Sequence, residues 1–221
     1  MPLIVAIDGP AGVGKSTTSK LVAAALELPH IDTGAMYRAL ALKATRNGVA
    51  LDDEQRLSEM ARSASMSFVP GQAGRLLLDG EDVSTEIRRA EMSMAASNVS
   101  AVPAVRRVLV ALQQTLGRRE GGVLEGRDIG TKVFPETPFK FFLMARPEIR
   151  AQRRFQELSA KGPSVSFEEV LADIQTRDRQ DSTRADSPLT YDDSYELIDT
   201  SDLTIDEVVA RIVGSVRKRS A

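Results

Sequence analysis

Residues 3–17 read Leu-Ile-Val-Ala-Ile-Asp-Gly-Pro-Ala-Gly-Val-Gly-Lys-Ser-Thr. The opening apolar run is what a strand buried on both faces of a parallel sheet requires. Gly9, Pro10, Ala11, Gly12, Val13, Gly14, Lys15 and Ser16 then fit G-x-x-x-x-G-K-[ST] in full, with Thr17 next. Glycines at 9, 12 and 14 let backbone N–H groups converge on phosphate oxygens, and the helix expected over 16–28 adds its N-terminal field. Lys15 offers a mobile charge to β- and γ-phosphates, and Ser16 a hydroxyl to Mg²⁺. Strand, glycine loop and helix in that order predict an α/β protein that binds a nucleoside triphosphate.

Outward from this motif the alternation continues. A short strand at 30–31 ends at Asp32-Thr33-Gly34, and a helix follows from about 35 to 47, closed by Gly48. Residues 52–100 break the pattern, with short strands expected at 67–70 and 75–78 and helices at 86–99 and 105–116. They read as an inserted subdomain. Strands are expected again at 122–125, 140–144 and 195–198. Pro147 opens a helix that ends near Lys161-Gly162-Pro163, and Ser166 with Glu169 forms a capping box for the next. A last helix is capped by Thr204 and Glu207, with an apolar stripe at Ile205, Val208, Val209, Ile212, Val213 and Val216. In the first helix Leu21, Val22, Ala25 and Leu26 are expected on the core side.

Composition removes other classes. The 221 residues include no cysteine, one histidine and no tryptophan, so thiolate catalysis and Cys-ligated zinc are excluded. A formal charge of −2 argues against a nucleic-acid partner, and no apolar run approaches a membrane span. The N-terminus has no basic region before its apolar stretch, so a cytoplasmic location is expected. No N-K-x-D guanine motif is present, and the strand at 140–144 ends in Ala145-Arg146 rather than Asp-Glu. Small P-loop kinases remain.

Three clusters have the composition of a second phosphate site. Asp32 to Arg38 opens a helix after the second strand. Gly126-Arg127-Asp128 follows a strand at its carboxyl end, where α/β ligands bind. On the helix capped by Ser166, the face carrying Val170 and Ile174 continues at Arg177, Asp181 and Arg184, so the core-facing stripe turns charged. An ordinary i,i+4 ion pair is the alternative there. Arg150, Arg153 and Arg154 suit a mobile lid, although Arg150, Arg154, Glu157 and Lys161 equally suit a solvated salt-bridge face. His30 is expected to be structural, and Arg217-Lys218-Arg219 a frayed helix end.

Taken in order, IDGPAGVGKST, IDTGAMYR, LDGEDVSTEIR, EGRDIGTKVFP and RDRQDSTRADSPL resemble the bacterial cytidylate kinases, a branch of the P-loop nucleoside monophosphate kinases. The resemblance spans nearly the whole chain. It implies a P-loop fold with a central parallel sheet flanked by helices, from core segments 1–36, 100–147 and 165–221. A monophosphate-binding insertion would occupy about 37–99 and a short lid about 148–164. The implied reaction moves the γ-phosphoryl group of ATP, with Mg²⁺, to CMP or dCMP; a kinase for UMP or AMP is the nearest alternative, and a nucleotide-hydrolysing switch the next. By resemblance Arg38, Arg127 and Arg184 hold the acceptor phosphate, and Thr33, Ser97, Arg106 and Asp128 surround cytosine. Arg177 and Asp181 contact the ribose, and Lys15 with Arg127, Arg150, Arg154 and Arg184 neutralises the transferring group. A monomer is expected.

Overall fold

The computed structural model describes residues 2–160, 165–184 and 186–220. Its centre is a five-stranded parallel sheet in the order β2 (His30–Asp32), β6 (Gly122–Gly126), β1 (Ile4–Asp8), β7 (Phe139–Met144), β8 (Glu196–Asp199). β1 lies between β6 and β7 and is buried throughout, which is why its sequence does not alternate. Its side chains still divide by face. Val5 and Ile7 join Phe141 and Leu143 beneath α1 (Lys15–Ala25) and α8 (Ile205–Ser220). Ile4 and Ala6 join Leu124 against Ile129, Val133 and Phe134 on the other face.

The insertion has a core of its own. A three-stranded antiparallel sheet, β3 (Met66–Phe68), β4 (Leu76–Leu78) and β5 (Glu81–Asp82), packs with α2 (Thr33–Arg46), α3 (Glu54–Ser63), α4 (Ala90–Ala101) and α5 (Pro103–Glu120). α5 also reaches the main sheet, where Gly117 is so close to Phe134 that a Cβ would lie 2.6 Å from its ring. Two small cores therefore share one helix. A third, around Ala151, Val170 and Ile174, joins α6 (Pro147–Ser159) to α7 (Phe167–Thr183) as a hairpin; Lys161-Gly162-Pro163, where α6 was expected to end, lies outside the described residues.

Several expectations need correction. α1 begins at Lys15 and ends at Ala25, and its buried face is Thr18, Ser19, Val22 and Ala23, while Leu21 and Ala25 face solvent. The strand order places the small, hydroxyl-bearing side of α1 against the sheet, a choice that apolar counting misses. Ile205 is 43% exposed and lines the cleft at the carboxyl end of the sheet; the stripe proper is Val208, Ile212, Val213 and Val216. β5 is too short and too acidic to be seen as a strand, and the helix expected at 86–99 is a 3₁₀ turn (Glu86–Arg88) followed by α4. Among the described residues no single helix is long and apolar enough to cross a membrane.

Candidate active site

The carboxyl ends of β1, β2 and β6, the first turns of α1 and α2, and faces of α4, α5 and α7 enclose a cleft of about 520 Å³. At its floor the chain leaves β1 through Gly9, whose φ of 148° and approach to the Leu143 carbonyl (a Cβ would lie 2.3 Å from that oxygen) admit no side chain. Gly14, in the left-handed region, delivers the chain into α1. Lys15 folds back over this loop, and its Nζ donates to the Gly9 carbonyl at 2.7 Å and the Pro10 carbonyl at 2.6 Å. Burial, and then the charge of Arg127, push the Lys15 ammonium well below its usual pKa, against the pull of Glu125, Asp181 and Asp8.

Ser16 Oγ donates to Glu125 Oε2 at 2.8 Å, and His30 Nε2 lies 2.9 Å from Glu125 Oε1. His30 thus sits behind Glu125, outside the cleft lining, as its structural reading expects. Ser16 and Glu125 are hard oxygen donors, and the described residues hold no cluster of three or more metal-ligating side chains. That donor set fits Mg²⁺ held by one or two protein oxygens together with phosphates and water, rather than in an all-protein cage.

The opposite wall is rich in arginine. Asp32 caps α2, accepting from Ala35 N–H at 2.9 Å and from Arg38 Nη2 at 2.8 Å. Thr33 Oγ1 donates to the Glu125 carbonyl at 2.7 Å, which ties α2 to β6. Arg127 Nε donates to Asp181 at 2.7 Å, and Arg184 lies 3.7 Å from the same carboxylate. Arg127 holds the Asp181 carboxyl below its usual range despite burial. Burial and the neighbouring Arg127 lower the Arg177 guanidinium to about 10, and its Nε is buried without a hydrogen-bond partner. α7 ends at Thr183, so Arg184 follows the last helical residue in extended conformation yet still lines the cleft with Arg177 and Asp181.

Deeper in, Arg106 pairs with Asp128, both nearly inaccessible, and its guanidinium lies 5.6 Å from the Tyr37 ring centre. Ser97 Oγ donates to Gln180 across the cleft at 3.0 Å. The structure therefore brings Thr33, Arg38, Ser97, Arg106, Arg127, Asp128, Arg154, Arg177, Asp181 and Arg184 to one cleft with Gly12, Gly14, Lys15, Ser16 and Thr17.

Arg150 is the exception. It is 3% exposed and does not line the cleft; its guanidinium grips Asp178 through both nitrogens, one at 3.0 Å, and donates to the carbonyls of Ala11 and Ala145, each at 3.1 Å. Helical spacing does align it with Arg154, but Asp178 across the hairpin captures it. The expected solvated face is reduced to the Arg154–Glu157 pair, since Lys161 lies outside the described residues. Arg153 lines the cleft as Arg154 does, while its guanidinium donates to Thr200. Glu125 and Asp8 were not anticipated; a carboxylate inside an otherwise apolar, doubly buried strand is the signal that exposes both.

A family model described as cytidylate kinase matches residues 5–218. The cytidylate kinase of Caldanaerobacter subterraneus is 50% identical over 98% of this chain and 95% of its own, and that of a Geobacter species is 48% identical over 99% and 94%. A crystal structure of an uncharacterised protein from Eubacterium ventriosum shares the fold at a TM-score of 0.58, with 12% identity over 99% of this chain and all of the other. The chain belongs to the cytidylate kinase family.

Proposed function

We propose that the cleft binds ATP along the phosphate loop and CMP or dCMP between α2, α4, α5 and α7, and passes the γ-phosphoryl group between them. Family membership supplies the reaction, an ATP-dependent kinase acting on CMP or dCMP. The observation that carries the residue assignments is the arrangement of Arg38, Arg127, Arg177 and Arg184 around a cleft whose floor is the Lys15 loop.

An oxygen of the acceptor phosphate attacks the γ-phosphorus, a new P–O bond forms, and the bond to the β-phosphate oxygen breaks. That acceptor oxygen is already ionised at neutral pH, so no general base is needed, in keeping with a sole histidine set behind Glu125. The protein's work is alignment and charge neutralisation in a loose transition state. Ser16, with Glu125 behind it, would hold Mg²⁺, which would supply charge neutralisation at the phosphates. Lys15 exchanges the Gly9 and Pro10 carbonyls for phosphate. Arg38, Arg127 and Arg184 grip the acceptor phosphate, and Arg154 on α6 faces the transferring group. Arg177 and Asp181 take the ribose.

Cytosine is separated from uracil by its exocyclic amine and by N3, which lacks a proton. Asp128 accepts from the first and Arg106 donates towards the second, with Thr33 and Ser97 closing the sides. A uracil leaves both buried charges badly paired, so rejection is strong. The protein acts as a monomer, with 37–99 as the acceptor-binding insertion and 148–164 as the lid. The test is ADP formation with CMP, dCMP, UMP, AMP and GMP in the wild type and the Lys15→Ala and Asp128→Ala variants. The reading requires a preference for CMP and dCMP that Asp128→Ala erodes and turnover that Lys15→Ala lowers by about 10²–10³-fold. An ADP rate independent of the acceptor overturns it.

A further inference from the structure

Asp8 ends β1 immediately before the phosphate loop, is inaccessible to solvent, and makes none of the contacts proposed for either substrate. Its carboxylate faces the base-recognition side of the sheet. Oδ1 accepts from the Ile129 N–H at 2.9 Å, and Oδ2 accepts from the Gly130 N–H at 2.9 Å and from the Tyr195 hydroxyl at 2.8 Å. Those two N–H groups open the π-helical turn Ile129–Val133, which directly follows Asp128. Opening N–H groups of a helical turn have no partner within it. Here a carboxylate 121 residues away in sequence supplies one.

The rest of the turn fixes Asp128 by its backbone. The Asp128 carbonyl accepts from Lys132 at 2.9 Å and Val133 at 3.2 Å, while its side chain meets Arg106. The packing leaves no slack: a Cβ on Gly130 would lie 2.5 Å from the Tyr195 hydroxyl oxygen. The turn is held from outside by Asp8 and Tyr195, and the residue immediately before it is the one that reads the base.

We infer that Asp8 is a positioning residue for base selection, its carboxylate fixing the turn that aims Asp128 at Arg106 and the pyrimidine. The inference rests on the assignment of Asp128 and Arg106 as the base-reading pair. An amide in place of the carboxylate has one acceptor oxygen for two N–H groups, so one of them faces an NH₂ and the turn shifts. Selection by hydrogen bonds is sensitive to such shifts, because misplacement by about 1 Å costs on the order of a hundredfold.

The charged and titratable groups facing Asp8 are few. Asp128 repels it from the turn, Tyr195 donates to it, and Lys15 lies on the loop side. Lys140 of β7 stands 5.8 Å from the centre of the Tyr195 ring, and Glu125 of β6 turns away to Ser16 and His30. Burial dominates and lifts the Asp8 carboxyl to about 6. Base selection in the wild type should therefore decline between pH 7.5 and 5.5. CMP and UMP carry the same phosphate, so its ionisation cancels in their ratio.

The experiment measures kcat/KM for CMP and UMP, and KM for ATP, in the wild type and in Asp8→Asn, Tyr195→Phe and Asp128→Asn, with thermal melts by circular dichroism. Asp8→Asn is expected to lower the CMP-to-UMP ratio by about tenfold, mainly through KM for CMP. KM for ATP should stay within about twofold, and the pH dependence of the ratio should flatten. Tyr195→Phe is expected to act in the same direction by about threefold, and it decides the matter if Asp8→Asn does not fold. A ratio lost in Asp128→Asn but kept in both folded variants overturns the inference alone. A ratio unchanged in Asp128→Asn overturns the base-reading assignment and the inference with it. Equal losses for both nucleotides in Asp8→Asn reduce Asp8 to a structural residue and also overturn it.

Discussion

Among the described residues no carboxylate pairs with Lys15; its ammonium rests on two carbonyls of the loop it belongs to. A buried cation so placed is matched by an arriving polyanion. Lys15→Ala should lower kcat by about 10²–10³-fold with little change in melting temperature, and Lys15→Arg should not restore it, since a planar fork cannot follow the loop as a point charge does. Steady-state ADP release beside a melt separates these outcomes. Asp8 gives a stability prediction with a definite sign. Its folded pKa of about 6 stands above the ordinary carboxyl value of 3.8, so its contribution is fully present below about pH 4 and is lost as pH rises through 6. The difference in unfolding free energy between wild type and Asp8→Asn should therefore fall by on the order of 2 kcal/mol from pH 4 to pH 7, measured by urea unfolding. Lys15 and Ser16 are legible because their motif is local. Asp8 and Glu125 are not, because their partners at Ile129, Gly130, Ser16 and His30 come from other strands and turns.

Among the elements, α7 was the easiest to read. Ser166 accepts from Glu169 N–H at 3.1 Å and Glu169 returns the bond to Ser166 N–H at 2.8 Å, the reciprocal pattern implied by their spacing. Ser166→Ala should cost about 1 kcal/mol in denaturant unfolding while leaving kcat largely intact, because the cap lies three turns from Arg177. Its charged face was legible for the same reason: Arg177 and Asp181 follow Val170 and Ile174 at helical spacing. α6 was harder. Its arginine spacing is compatible with a lid, a salt-bridge face or a buried anchor, and only the partner helix decides between them. Asp178→Asn removes that partner's charge from a guanidinium that remains buried, and should destabilise by roughly 2 kcal/mol while raising KM for ATP through the Ala11 contact. A change in KM for CMP alone would contradict this.

On the scale of the molecule, the cleft lies between two cores that meet through α2, β6 and α5. The fold class could be read because strand, loop and helix alternate with buried strands and capped helices. The insertion could be recognised as an interruption but not drawn: its third strand has two acidic residues and its sheet is held by contacts across the hydrophobic cluster. Arg127 and Arg177 face each other across the cleft wall with Asp181 to share. Any ligand bringing phosphate there relieves that repulsion. At about 100 times its dissociation constant CMP should stabilise the fold by about 2.7 kcal/mol, and the gain in melting temperature should shrink as salt rises. A salt-independent gain would show that the arginine wall does not bind the phosphate.

Arg150 gives this architecture a mechanical reading. The α6–α7 hairpin is a beam stiffened by its own apolar seam, and at its root a single guanidinium clasps the second helix, the start of the first and the phosphate loop. None of the three can be displaced at that point without breaking a hydrogen bond to Arg150. One side chain is thus a common fastening for the hairpin and the phosphate loop, and losing it would loosen both at once.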